Sequence, residues 1–436
     1  MKYRWFILGL LFVVYFIQFI DRTVISLATE PIMKEFHFSA SEWGMILSAF
    51  FWGVVPFSII AGIASDKWGA KRILLAGATI WSLFTALTAL SFNYISFLIA
   101  RAIFGAGESP SASMGIRIAT TWYSPKEYST ALGVAFSGVY IAPAIASPVV
   151  VWLIGEFGWR MPFYVMGILG IIWVLFWYKY FTDRPENNPF MGQKEKGWLL
   201  AEQDHILRKS KAGKKKSIKE LLGLPRHIRG TILANLWSVF CVGYALYFLL
   251  TWLPGYFSIA RGLSLKSMGF ALVIPFLAAA CGEAFGGRLS DKIYVKTGSK
   301  RFARAYWIVG CFFILAVCLS LTVIIDSTIL AIMILAIGAF CLASSSVVCH
   351  TIVAETVPEQ AGSQGGLLQL IKTIPGIIAP IITGYIVDST GSFAAAFYLT
   401  ALIIFSGVLA TFIFLRPPED ASRKIVSKDV VEEAEL

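Results

Sequence analysis

Gly62-Ile63-Ala64-Ser65-Asp66-Lys67-Trp68-Gly69-Ala70-Lys71-Arg72 is a short stretch of small and charged residues set between two apolar runs, 41–63 and 72–92. Gly62 permits close helix contact, and Gly69 permits the tight turn that a chain needs to re-enter a membrane. Asp66 can face the positive N-terminal end of another helix. Lys67, Lys71 and Arg72 hold the water-facing side of the turn. The stretch therefore reads as a hairpin connection between two antiparallel spans.

The same alternation of apolar run and short polar connection recurs along the whole chain. Spans are expected at 5–27, 41–63, 72–92, 95–118, 129–155, 161–181, 229–257, 266–289, 303–325, 328–350, 362–387 and 392–415. Each reaches or exceeds the ~20 residues that cross ~30 Å of hydrocarbon at ~1.5 Å per residue. Composition agrees: the 436 residues are 57% hydrophobic and 14% charged. A soluble enzyme would carry about 25% charged residues. The fold class is an all-α polytopic membrane protein, twelve spans in two six-helix halves.

The net charge of +11 does not point to nucleic acid, because the basic residues sit in short loops between spans. With the N-terminus inside, 29 of the 37 Lys and Arg fall on the cytoplasmic side and four on the other. That bias places both termini in the cytoplasm. Met1-Lys-Tyr-Arg before the first run resembles a signal peptide. The run is too long and lacks a small-residue cleavage site, so it reads as a retained span. Residues 1–181 form the N-terminal half and 182–228 a hydrophilic cytoplasmic linker. Residues 229–415 form the C-terminal half, and 416–436 a cytoplasmic tail. The six cysteines lie in apolar runs without metal or disulfide spacing and read as packing residues.

A faint repeat joins the halves. Gly62-Ile-Ala-Ser-Asp66-Lys67 ends span 2, and Gly287-Arg-Leu-Ser-Asp291-Lys292 ends span 8, 225 residues later. Parallel six-helix repeats place a substrate site at midplane between them.

Four charged residues sit deep inside the N-terminal spans: Asp21 and Arg22 in span 1, Arg101 and Glu108 in span 4. Such charges cost roughly 2.5–3.5 kcal/mol each on insertion scales, so they face a wet cavity and pair. Asp21, Arg22 and Arg101 are expected at one depth, ~9 Å below the outer boundary, where a bridge between spans 1 and 4 is possible. Glu108, seven residues deeper, shares a face with Arg101. Arg117, at the inner end of span 4, points away from Glu108 and suits a gate.

Three stretches carry a family resemblance. The loop Gly62-x-x-x-Asp66-Lys67-x-Gly69-x-Lys71-Arg72 resembles, position for position, the loop between helices 2 and 3 of the major facilitator superfamily. Leu98-x-x-Arg101-x-x-x-Gly105-x-Gly107-Glu108-Ser-Pro110 resembles the helix-4 motif of its anion:cation symporter branch. Asp21-Arg22 and Tyr247-Phe-Leu-Leu-Thr-Trp-Leu-Pro254-Gly-Tyr256 agree with the same branch. The resemblance implies a bacterial inner-membrane symporter that imports an organic anion with protons by alternating access. A sugar acid (aldonate, uronate or aldarate) is the leading substrate class, with aromatic acids or small dicarboxylates as the alternative. It implies that Asp21 and Glu108 are protonation sites and that Arg22 and Arg101 hold the substrate carboxylate. It implies too that the loop residues latch the outward-facing state against span 11.

In the C-terminal half, Lys372 is the one basic residue well inside a span, and Gln369 shares much of its face. Lys372 either contacts substrate or pairs with Glu283 in span 8. Tyr244 and Tyr247 in span 7 can wall a sugar face or simply pack. His350 reads as a satisfied polar residue at a helix end. No metal-ligand spacing and no nucleophile–base arrangement is present, so neither a cofactor nor an enzyme is expected. Span 5 reads Gly138-Val-Tyr-Ile-Ala-Pro143 and lacks the glycine–proline pattern of proton-coupled exporters. The expected partners are a small organic anion, protons and the bilayer, with the chain acting as a monomer.

Overall fold

The structure is a computed structural model describing residues 2–123, 125–199, 226–356 and 361–417. The described residues are helical and contain no strand. Ten helical stretches among them are long and apolar enough to cross a membrane. The other two expected spans are also helices, interrupted by their own sequence. Span 2 runs into span 3 as one helical stretch, Ala40–Thr88, broken only at Gly69 (φ 82°, ψ 160°). The expected loop is therefore mostly helical, and the positive φ at Gly69 supplies the turn. Span 4 is split into Tyr94–Glu108 and Ser111–Trp122. Pro110 has no N–H to continue the ladder, and Ser109 and Pro110 form the turn between the two pieces.

Several helices run past the expected ends. Span 8 extends to Thr297 and span 10 to Thr356, carrying their polar loop residues on continued helix. The start of the expected linker is also ordered. Residues 193–199 are helical, and Glu195 accepts hydrogen bonds from the Tyr3 and Arg4 backbone amides at 2.8 and 3.3 Å. Its carboxylate caps the positive end of span 1. Residues 200–225 and 418–436 of the linker and tail lie outside the described residues.

Within the first half, span 1 packs on span 5, span 3 on span 6, and spans 2 and 3 on span 4. The second half repeats this: span 7 on span 11, span 9 on span 12, and spans 8 and 9 on span 10. The halves meet through spans 2 and 11 and through spans 5 and 8. The hydrogen bonds crossing this seam lie at the end away from the basic loops. Asp388 Oδ1 and Oδ2 accept from the Ala40 and Ser41 amides at 2.8 and 2.7 Å, and Ser48 donates to the Ile377 carbonyl at 2.9 Å. A Cβ at Gly44 or Gly384 would collide with the Pro380 or Ala40 carbonyl, so glycine is what lets spans 2 and 11 touch.

Candidate functional site

Span 4 breaks where it presents Glu108, and span 1 fills the break. The Tyr15 hydroxyl donates to the Ser111 carbonyl at 2.8 Å, and the Gln18 amide donates to the Ser111 hydroxyl at 2.5 Å. One turn beyond Gln18, Arg22 reaches the same region. Its Nε donates to Glu108 Oε1 at 2.7 Å, and its Nη2 makes an ion pair with the same oxygen at 2.6 Å. Glu108 Oε2 has no hydrogen-bond partner. The bridge between spans 1 and 4 thus forms at the depth of Glu108, below the level expected from residue counting. The length of the arginine side chain covers the offset.

Asp21 and Arg101 complete the group. Both are buried. The Asp21 carboxyl lies beside the Thr85 hydroxyl, which is already committed to the Trp81 carbonyl, and neither Asp21 oxygen has a hydrogen bond. Glu108, Arg101 and Arg22 are all close enough to act on it electrostatically. The Arg101 guanidinium rests on the rings of Phe104 and Phe50, at 4.5 and 5.4 Å, with its Nε unpartnered. Arg22 lies over Phe19 and Phe50, at 4.6 and 4.9 Å. Phe50 of span 2 is therefore shared by two guanidiniums whose like charges repel. Cation–π attraction offsets part of that repulsion, worth ~2 kcal/mol when desolvated. Two acids and two bases are held together with unused hydrogen-bonding capacity on three of the four, a site poised to exchange partners.

Tyr247 joins this group to the second half. Its ring meets Phe51 edge-on at 4.6 Å, and its hydroxyl lies beside Thr373 and within the field of Arg22 and Glu108. Tyr244 is buried one turn earlier. Lys372 donates to the Ser346 hydroxyl at 2.9 Å and lies within the field of Glu283, so it belongs to a cluster with both. Gln369 is exposed, with its carbonyl accepting from Thr373 at 2.7 Å. His350 Nδ1 is 2.8 Å from the Ser346 carbonyl. A largely apolar cleft lies between the halves, lined by Phe19, Pro143, Leu250, Phe276, Leu342 and Ala343 among others.

At the basic end, the Lys71 amide donates to Asp183 Oδ1 at 2.8 Å, just past span 6, and the Asp183 carboxylate packs against Gly69. Arg117 donates to the Ser65 hydroxyl at 3.1 Å. Lys67 lies over the Trp68 ring at 5.9 Å, Arg72 lines the polar depression around Asp183, and Gly62 accepts from Ser65 through its carbonyl. The Asp66 side chain lies outside the described residues. In the second copy Ser290, 225 residues after Ser65, likewise accepts from an arginine, here one on span 9 rather than on the fourth span of its half. Arg304 donates to Ser290 at 2.6 Å and pairs with Asp291 and Glu355, both at 2.8 Å. Sequence reading missed Arg304, because the spacing after Asp291 is disturbed. It missed Phe50 as well, because one phenylalanine among 34 carries no signal of its own.

Comparison with known proteins agrees with this architecture. The chain matches the Major Facilitator Superfamily over residues 11–378 and again over 299–433. It is 32% identical over 410 residues to the hexuronate transporter of Bacillus subtilis (strain 168), covering 93% of each chain. It is 32% identical over 431 residues to the probable galactarate/D-glucarate transporter of the same organism, covering 95% of this chain and 92% of that one. Among solved structures it resembles a bacterial homolog of the human lysosomal transporter Spinster in an inward-facing and occupied conformation. The TM-score is 0.76 at 18% identity, over 96% of this chain and 98% of that one. With twelve spans, two meeting halves and a buried charge cluster in place, the chain belongs to the Major Facilitator Superfamily and is an integral membrane transporter, not an enzyme.

Proposed function

We propose that the protein imports sugar acids with protons across a bacterial inner membrane by alternating access, with both termini and the basic loops in the cytoplasm. Residues 1–181 and 229–415 act as the two moving halves, and 182–228 joins them. The observation that carries the reading is the ion pair that Arg22 makes, through Nε and Nη2, with a single oxygen of buried Glu108. Relatives named for hexuronate, galactarate/D-glucarate and galactonate support the substrate class.

The mechanism follows from competition for one cation. Arg22 can satisfy Glu108 or a substrate carboxylate, and a charge-assisted bond to either is about twice as strong as a neutral one. A proton on Glu108 removes its charge and releases Arg22 to the substrate. Loss of that proton on the cytoplasmic side restores the Arg22–Glu108 pair and expels the substrate. Asp21 is the second protonation site, and Arg101 on its aromatic seat is the second cation. Phe50, Tyr247, Gln369 and Lys372 line the path, with Tyr244 packing behind Tyr247. The seam closed by Asp388 and Ser48 then lies on the outer side, the side an inward-facing carrier keeps shut. The loop from Gly62 to Arg72, with Arg117, forms the cytoplasmic gate.

Uptake into proteoliposomes tests this. Galacturonate, glucarate and galactonate should accumulate only with an inwardly directed proton gradient. Accumulation unaffected by collapsing the gradient would remove proton coupling.

A further inference from the structure

We propose that Gln18 is a positioning residue for proton coupling: acting through Ser111, it holds the break of span 4 where Glu108 retakes Arg22 from the substrate. This rests on the exchange mechanism above. Glu108 is the last residue of the helix Tyr94–Glu108. Pro110 brings no N–H, which leaves the Ala106 carbonyl four residues back without its ladder donor. The sequence Ser109-Pro110-Ser111-x-Ser113 supplies hydroxyls instead. Ser109 donates to the Ala106 carbonyl at 2.8 Å, Ser111 to the Glu108 carbonyl, and Ser113 to the Pro110 carbonyl at 3.0 Å. A hydroxyl rotates to suit its partners, so these bonds leave the break free to shift unless something else fixes it.

Span 1 is what fixes it. Tyr15, Gln18 and Arg22 share one face, at positions i, i+3 and i+7. Tyr15 donates to the Ser111 carbonyl, Gln18 to the Ser111 hydroxyl, and Arg22 to the Glu108 carboxylate. The Gln18 amide therefore heads a chain that runs through the Ser111 hydroxyl to the Glu108 carbonyl, in which each bond polarises the next. Gln18 and Ser111 are both buried, where bulk water does not make good a lost hydrogen bond. A Cβ at Gly115 would stand 1.9 Å from the Tyr15 hydroxyl, so this glycine is what lets span 1 approach. Without the Gln18 bond, Glu108 keeps its charge but is no longer held in register with Arg22. It then competes less well for the guanidinium, and the substrate carboxylate keeps its cation longer.

Gln18→Leu keeps the volume of the side chain and removes the donor. Uptake of galacturonate into proteoliposomes under an inward proton gradient should then show KM and Vmax falling together. KM should drop about five-fold, the worth of one neutral hydrogen bond, and Vmax should drop because release is slowed. Ser111→Ala cuts the same chain by deleting one atom, which guards against a misfolded Gln18→Leu, and should lower KM to the same degree. In Gln18→Leu/Ser111→Ala the shift should not grow, because both changes break one chain. A packing contact would leave KM unchanged or raise it. A KM unchanged or raised in either single variant that folds, or lowered further in the double variant, overturns the proposal and leaves anion transport standing. Wild-type accumulation that survives collapse of the proton gradient overturns the coupling mechanism itself.

Discussion

Arg22 Nε donates to Glu108 Oε1 at 2.7 Å with Nη2 2.6 Å from the same oxygen, and the other Glu108 oxygen has no hydrogen bond. The pair spends the arginine on one atom at the break of span 4. Breaking it therefore releases a whole guanidinium at once, the behaviour an exchangeable partner needs.

Arg22→Ala should weaken sugar-acid binding by about ten-fold to a hundred-fold, since the substrate carboxylate then keeps its desolvation cost without its cation. Isothermal titration against galacturonate reads this directly. Binding within two-fold of wild type removes Arg22 from the substrate site.

Phe50→Leu should keep the apolar volume and remove the aromatic face shared by Arg22 and Arg101. Their mutual repulsion is then unrelieved by ~2 kcal/mol of cation–π attraction. We expect a lower melting temperature and a weaker substrate affinity. Partial recovery of stability in Phe50→Leu/Arg101→Gln would show that the repulsion is the cause.

Asp388→Ala should loosen the closed seam, because the Ala40 and Ser41 amides lose a carboxylate cap worth about 1 kcal/mol. The carrier then visits the outer-open state more often, by roughly five-fold. Labelling of Ser48→Cys by a membrane-impermeant thiol reagent, in a Cys281→Ser background, should accelerate accordingly. Unchanged labelling would mean that Asp388 does not hold the seam.

Glu35 and Arg160 form an exposed pair at 2.6 Å. Hydrogen bonds from Arg160 hold the Glu35 carboxyl below the usual carboxylate range, against an upward push from burial, and Trp159 adds a further bond. A depressed carboxylate contributes stability above its unfolded value and loses it as pH falls through the folded one. Glu35→Gln should therefore cost up to ~1 kcal/mol near pH 7, and less as pH falls below the unfolded carboxylate value and through the folded one. Melting curves of both proteins from pH 7 downward check the sign.

The spans, the turn at Gly69 and the four buried charges were legible in sequence, because charged residues stand out in apolar runs and helical spacing fixes their depth. The partner of Arg22 was not, since depth counting ignores side-chain reach. Arg304 was hidden by disturbed spacing, although Ser65 and Ser290 sit at the repeat offset. The Asp388 cap and the Glu195 clamp on Tyr3 join residues about 350 and 190 positions apart. No local pattern encodes such contacts, which depend on how the helices register once packed.

Glu108→Gln tests the central claim most directly. The amide keeps the size of the side chain and loses its titratable proton. Reconstituted Glu108→Gln should fail to accumulate galacturonate against its gradient under an inward proton gradient, while still exchanging internal for external substrate. Uphill accumulation at the wild-type level would contradict the account, because the carboxyl that Arg22 releases would then carry no proton.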